Sequence, residues 1–327
     1  MDAMILDIQR MSTEDGPGLR TTVFFKGCNL ACPWCHNPES IGTNPDLCWV
    51  SGKCMGCNIC LSVCPQKCIS RNESGIRFNR PQCALSWEKP FPPGNPLSSE
   101  KPACGICAEK CPAAAIEIKG EAMNVEKLAA ELVKDRAYFG PDGGVTISGG
   151  EALLQHEAVL ELARLLKAAA LHVAVDTAGC YDFRLLEALL PFIDLVLYDL
   201  KIFDDEAHKR IIGAGSALIL ENYKQLMKRS VNVWVRTPII KGATDSEENI
   251  AAIGNFIAAT GSAGGLPEKW ELCAFNNLCR DKYGRLDREW AYRDTGLTEK
   301  AHIEKLAELA ARYFPGAVYT GTVCTPR

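Results

Sequence analysis

The chain lacks any apolar run of the roughly 18 to 20 residues that a membrane-spanning helix needs. Its most apolar helical stretch, AVLELARLLKAAAL, is broken by Glu161, Arg164 and Lys167. The opening residues MDAMILDIQR place an acidic residue second and have no signal-peptide architecture. A positive excess is missing too: 36 Lys and Arg stand against 40 Asp and Glu, a net charge of -4. That balance argues against a broad electrostatic nucleic-acid surface. The expectation is a cytoplasmic protein with no nucleic-acid or membrane partner, acting on a protein or a small molecule.

What the chain has in abundance is cysteine. There are 17, of which 13 fall between Cys28 and Cys111. In a reducing compartment such a cluster reads as metal or cofactor ligation, because a disulfide framework suits short secreted chains. Cys180, Cys273, Cys279 and Cys324 are scattered and read as small buried hydrophobes.

After residue 119, apolar runs of strand length alternate with amphipathic runs of helix length. The strands TTVFFKG, GVTISGG, HVAVDTAG, DLVLYDLK, VNVWVRTPII and WELCAFN are interleaved with helical segments, and a last helix precedes the short strand AVYTG. Six strands alternating with helices predict a parallel α/β sheet, either an open doubly wound sheet or an incomplete β/α barrel. In both, chemistry gathers at the C-terminal strand ends. Polar residues do sit there: Cys28, Gly149-Gly150-Glu151, Asp176-Thr177, Asp199 with Lys201, Arg236, and Asn276.

Between the first and second of these strands lies a Cys-, Pro- and Gly-rich segment. CMGCNICLSVCP supplies Cys54, Cys57, Cys60 and Cys64 in the C-x2-C-x2-C-x3-C-P run of bacterial ferredoxins, where the fourth cysteine serves the other of two clusters. CGICAEKCP adds Cys104, Cys107 and Cys111, but Lys101 stands where a first cysteine is expected. Cys83 is the substitute, with Cys48 and Cys68 competing. The crossover rule then groups Cys54, Cys57, Cys60 and Cys111 in one set and Cys83, Cys104, Cys107 and Cys64 in the other. Zinc held by paired C-x2-C units is the alternative.

KGCNLACPWCHN raises a different question, since Cys28, Cys32 and Cys35 give three ligands where a cube of four irons has four corners. One iron is left open to a substrate. Here the sequence resembles the radical S-adenosylmethionine enzymes, whose signature is C-x3-C-x-φ-C with an aromatic at φ, in this chain Trp34. SGGE, at Ser148 to Glu151, resembles that family's GGE motif, in which glycine lets backbone carbonyls approach the methionine ammonium. STEDGPGLRTTVFFKGCNLACPWCHNPES resembles more narrowly the N-terminal signature of the activating enzymes of glycyl-radical enzymes, and DTAG and DLK resemble two further segments of them.

The resemblance covers nearly the whole chain and implies an incomplete (β/α)6 barrel with an inserted ferredoxin-like two-cluster domain. The expected parts are residues 1–45 and 120–327 for the barrel and 46–119 for the insert. It implies three [4Fe-4S] clusters, with S-adenosylmethionine on the cluster of Cys28, Cys32 and Cys35. Trp34, Gly149, Gly150, Glu151, Asp176, Thr177, Asp199, Lys201, Arg236 and Asn276 would lie around that cofactor, the two aspartates sharing a monovalent cation. Asn276 departs from the Phe/Tyr-His pair common in the family, and asparagine cannot titrate near neutrality, so positioning is expected of it. Asp15, Gly16, Arg20 and His36 would meet the partner, a glycyl-radical enzyme whose glycine Cα loses a hydrogen atom. A flavodoxin or ferredoxin-type protein would supply the electron. A radical enzyme acting on a small molecule, and a ferredoxin-type electron carrier, are the alternatives.

Overall fold

The computed structural model describes residues 1–85, 104–262 and 264–325. The Pro-rich stretch at 88–102, with Lys101, falls outside them. Strands β1 (Asp2–Ser12) and β2 (Arg20–Phe25) form an N-terminal hairpin. The cysteine-rich segment carries β3 (Asp46–Trp49), β4 (Ile69–Asn72), β5 (Gly75–Phe78) and β6 (Ile116–Lys119), followed by β7 (Glu121–Asn124). Then come β8 (Gly144–Gly149), β9 (His172–Thr177), β10 (Leu195–Asp199), β11 (Asn232–Ile239), β12 (Lys269–Ala274) and β13 (Ala317–Thr320).

Nine of these make one sheet in the order β13-β12-β11-β10-β9-β8-β2-β1-β7. From β2 to β13 every neighbouring pair is parallel, and β1 is antiparallel to both its neighbours. Each parallel strand is added beside its predecessor in chain order. Right-handed crossovers then place all connecting helices on one face. A doubly wound sheet requires a reversal of order, so the topology is singly wound. Seven parallel strands are present, because β13 continues the six that alternate with helices.

Strand periodicity sorts the side chains between the two faces. Val145 and Ile147 on β8, Val173 and Val175 on β9, and Val233 and Val235 on β11 enter the core shared with the helices. Thr146, Ser148, Asp176, Trp234 and Arg236 alternate with them. The helices return apolar residues to that core, among them Leu128, Leu162, Leu186, Tyr223, Ile253 and Leu306. Asn124, Asp182, Asp204 and Ser246 cap four of them through side-chain oxygens that accept backbone N–H groups. The amphipathic run from Asn124 to Phe139 forms two helices, Val125–Val133 and Arg136–Phe139. Between them the Asp135 carboxylate accepts from Thr21 Oγ1 at 2.9 Å and Arg10 Nε at 3.0 Å, tying the break to the N-terminal hairpin.

The sequence pattern does not announce β1. Only its first half, Ala3 to Ile5, is buried before Ser12, so no sustained alternation is written into it. Its partners are long-range: the Gln155 amide accepts from Met4 N at 2.8 Å and donates to the carbonyls of Met4 and Lys26 at 2.9 and 2.8 Å.

The loop after β1 folds into the sheet's helix-free face. Thr146 Oγ1 donates to the Asp15 carbonyl at 2.7 Å, and Ser12 and Thr22 donate to Asp15 Oδ2 at 2.6 and 2.7 Å. Arg20 is fully buried beneath it. Its guanidinium donates to Thr146 Oγ1 at 2.6 Å and to the carbonyls of Pro17 and Val145 at 2.9 Å each, and Gly16 rests on its side chain. The resemblance places Arg20 at the partner surface; its side chain is instead fully buried and, with Gly16, shapes the loop.

The described residues of the cysteine-rich segment, 46–85 and 104–119, enclose a small core of their own. β3 pairs with β6 and β4 with β5, both antiparallel, beside short helices Ile59–Val63 and Ile106–Glu109. Leu47, Ile69, Ile76, Phe78 and Ile116 pack there with Cys64, Cys68, Cys83 and Cys107.

Replacing Arg20 by Met leaves two buried carbonyls and a buried threonine hydroxyl without their donor. The expected cost is about 2 to 4 kcal/mol, or roughly 3 to 6 °C in Tm. A thermal scan within a degree of the unsubstituted protein would contradict this structural role.

Candidate active site

A cavity of about 530 Å³ opens on the helix-free face at the C-terminal strand ends. Cys28, Cys32 and Cys35 line one side of it, together with Trp34 and His36. Gly149, Gly150, Asp176, Thr177, Asp199, Lys201 and Arg236 line the rest, and Asp15 reaches it from the N-terminal loop. Apart from Asp15, these residues meet because each lies in the C-terminal half of a parallel strand or in the loop that follows it.

The cysteine loop has little regular structure and leans on its surroundings. Trp34 is buried with Leu30, Ile202, Ile240 and Phe275, and its ring meets Tyr292 edge-on at 6.4 Å. Burial pushes the Cys35 thiol up to about 12 and raises Cys28 and Cys32 as well. Thiols so placed ionise as a set only against positive charge brought to them, which is what bound iron supplies. His36 faces Phe275 edge-on at 6.2 Å, and burial, with Lys282 nearby, lowers its pKa and favours the neutral ring.

The turn itself also requires Gly149 and Gly150. A Cβ on Gly149 would stand 2.1 Å from the Phe25 carbonyl oxygen, and one on Gly150 would stand 2.2 Å from that of Gly27. Gly149 also has φ +131. The glycines let β8 run against the end of β2, and this brings the turn beside the cysteine loop.

Charges across the cavity pair within the chain. Lys201 Nζ lies 2.5 Å from Asp199 Oδ2, and Arg236 lies 3.6 Å from Asp176, which also accepts from Ser148 Oγ at 2.8 Å. Burial opposes the Lys201 charge, but Asp199 and Cys32 more than offset it and raise its pKa. Burial moves Asp176 the other way, up to about 6, with Arg236 resisting and Asp199 adding. Each aspartate thus has its own basic partner. Among the described residues, no three His, Cys, Asp or Glu side chains converge tightly enough to hold a single ion.

Two residues expected around the cofactor do not line the cavity. Glu151 turns away and is buried, accepting from Thr177 Oγ1 at 2.9 Å and Ala178 N at 3.0 Å. Asn276 closes a turn, its Oδ1 accepting from Leu278 N at 3.2 Å. In the other direction, Cys273 lines the cavity beside Arg236, though the sequence reading made it a core hydrophobe. Glu271, on the same face of β12, is 3.8 Å from Arg236. Period-two counting along WELCAFN would have placed both with the polar strand ends.

In the cysteine-rich segment, Cys54, Cys57, Cys60 and Cys111 surround one small cavity with Trp49, Met55 and Arg71. Cys107 sits with Cys83, Cys104 and Cys64, and burial pushes it up to about 11 with those thiols adding. Cys68 joins this second group, its sulfur 3.4 Å from that of Cys64. Cys48 is apart, acted on chiefly by burial and by Asp46 and Glu39.

Glu151 makes stability depend on pH. Burial raises its carboxyl from 4.5 to about 7, so the folded chain holds a proton that the unfolded chain releases between those values. Its contribution is therefore present below pH 4.5 and is lost as pH rises to 7, by about 3 kcal/mol. Glu151→Gln should gain Tm relative to the unsubstituted protein between pH 5 and pH 8. Parallel Tm curves across that range would contradict the shift.

Among known proteins, the model of the Radical SAM superfamily matches residues 103–252. The indoleacetate decarboxylase activating enzyme of Tractidigestivibacter scatoligenes is 38% identical over 267 residues, 79% of this chain and 80% of that one. The isethionate sulfite-lyase activating enzyme of Oleidesulfovibrio alaskensis is 33% identical over 94% of each chain. The 4-hydroxyphenylacetate decarboxylase activating enzyme of Clostridioides difficile is 31% identical over 94% of this chain and 93% of its own. With this likeness along nearly its whole length, and three thiols facing a polar cavity at the ends of a singly wound parallel sheet, the chain belongs to the radical S-adenosylmethionine activating enzymes of glycyl-radical enzymes.

Proposed function

We propose that this chain installs the radical on a partner lyase through the cavity just described, with Cys28, Cys32 and Cys35 holding the reactive cluster. When bound, that [4Fe-4S] cluster supplies one electron to break the S–C5' bond of S-adenosylmethionine, and the resulting 5'-deoxyadenosyl radical takes a hydrogen atom from the glycine Cα. The observation that carries the reading is the shared cavity: three half-buried thiols line it together with Asp176–Arg236 and Asp199–Lys201. A zwitterionic amino-acid moiety needs carboxylate and cation partners side by side, and those pairs offer both. A monovalent cation would share Asp176 and Asp199 with the two basic groups.

The chain's own residues orient the reaction and keep water out. Trp34, Leu30, Ile240 and Phe275 wall the cysteine side with apolar surface. Asp15 is pinned by Ser12 and Thr22 and forms part of the opposite wall. Gln9 and Met11 on β1 and Cys273 and Ala274 on β12 also line the cavity, on strands near the two edges of the open sheet. A glycine-bearing loop of a partner lyase would enter between them, and Met11 is largely exposed there.

Residues 46–119 are read as a ferredoxin-like insert with two further [4Fe-4S] clusters, one on Cys54, Cys57, Cys60 and Cys111 and one on Cys64, Cys83, Cys104 and Cys107. Cys57 is exposed, which suits exchange of electrons with a flavodoxin or ferredoxin-type reductant. Among the described residues no helix is long and apolar enough to cross a membrane.

The test is to reconstitute the protein without oxygen, reduce it, and add S-adenosylmethionine with a glycyl-radical-loop peptide deuterated at the glycine Cα. Deuterium should appear in 5'-deoxyadenosine, and Cys28→Ala should form none of that product. Label-free product in the presence of a full partner lyase whose glycine residues are deuterated at Cα would refute glycine abstraction. Cys57→Ala should lose about four of about twelve irons while still cleaving S-adenosylmethionine with a small-molecule reductant. Unchanged iron content would remove the first auxiliary cluster from the reading.

A further inference from the structure

The first half of the cysteine loop is tied to Cys180 and Ile212, and its second half, residues 33–38, is held from outside by one segment. Tyr283 OH donates to the Cys35 carbonyl at 2.9 Å and Trp290 Nε1 to the Pro33 carbonyl at 3.0 Å. The two rings stack, with centroids 5.1 Å apart and planes 13° apart. Lys282 Nζ donates to Asn37 Oδ1 at 2.7 Å, and Arg288 donates to the Pro38 carbonyl at 3.1 Å. Four side chains within a stretch of nine residues thus reach loop residues 33, 35, 37 and 38.

The same nine residues grip the cysteine-rich segment on their other side. The Asp287 carboxylate pairs with Arg77 and accepts from Phe78 N on β5. The Leu286 carbonyl accepts from buried Arg80, which also pairs with Asp46 at the start of β3, and Arg288 reaches Asp46 as well. Asp287 has φ +54, a left-handed conformation that asparagine and aspartate tolerate better than most residues. The chain turns there as the segment passes from loop contacts to segment contacts.

We infer that residues 282–290 are a strut through which the cysteine-rich segment sets the pose of the Cys28–Cys35 loop, with Tyr283 and Trp290 as positioning residues. A loop without regular hydrogen bonding opens easily unless tertiary contacts hold it. Here the contacts on one side of a short helix, Arg280–Arg285, and its exit are shared between loop and segment. A disturbance of β5 therefore reaches the thiols without touching them. This inference rests on the assignment of those thiols to the reactive cluster.

The experiment measures amide hydrogen exchange of the peptide covering residues 28–41 in the reconstituted protein, with the electron paramagnetic resonance spectrum of the reduced cluster plus S-adenosylmethionine as second readout. Tyr283→Phe keeps the stacked ring and deletes one hydrogen bond; exchange in the loop should rise about fivefold and the spectrum should shift. Asp287→Gly keeps the left-handed backbone and deletes the carboxylate that holds β5. It should also speed loop exchange, and the double variant should show less than the sum of the two effects on a free-energy scale. Loop exchange left unchanged by Tyr283→Phe, or faster exchange confined to β5 in Asp287→Gly, overturns the strut. If Cys28→Ala keeps the full iron content and the same spectrum, the cluster assignment fails instead, and the exchange results still stand or fall by themselves.

Discussion

Everything in this molecule follows from a sheet whose parallel strands are laid down in a single direction. That order sends every crossover helix to one face and leaves the other without helical cover. The covered face takes Val, Ile and Leu. On the uncovered face, alternate residues must be satisfied by loops, by one another, or by a bound group. The N-terminal loop meets part of the demand, placing the Asp15 carbonyl on Thr146 and the buried Arg20 guanidinium below it. Toward the C-terminal ends the demand is met by charge pairs and thiols, and there the cavity opens.

Desolvation gives that cavity its chemical character. Burial drives the three thiols and Asp176 toward their protonated forms, while Asp199 keeps Lys201 charged. The site is thus short of positive charge near sulfur, and it presents carboxylates and cations in close pairs. A cationic iron cluster with a zwitterionic ligand answers both conditions. The same desolvation explains why the cysteine loop needs rigid support: unsupported, it would open to water and the thiols would gain nothing from the sheet behind them.

The alternation of strands and helices after residue 119 was legible because each strand is a short apolar run flanked by turn residues, and nearly every element lies where those runs place it. β1 was not legible, since half of its length is exposed and its partners, Phe25, Gln155 and Met123, are remote in sequence. Arg20 and Glu151 belong to the motifs on which the resemblance rests. Their side chains serve the fold, one fixing a loop and the other accepting from Thr177 and Ala178. A motif states which residues occur together and is silent on which way each side chain points.

By itself the sequence determined the parallel α/β class, the three-cysteine loop and the two cysteine runs, because local periodicity and ligand spacing are properties of neighbouring residues. It also determined that Cys28, Gly150, Asp176, Asp199 and Arg236 fall at successive strand ends. Only the tertiary structure decided that Cys68 lies against Cys64 in the second group, that Cys273 shares the cavity of Arg236, and that residues 282–290 join the cysteine loop to Asp46 and Arg77. Those relations depend on crossover handedness and on packing between residues up to 257 positions apart, and no local pattern encodes them.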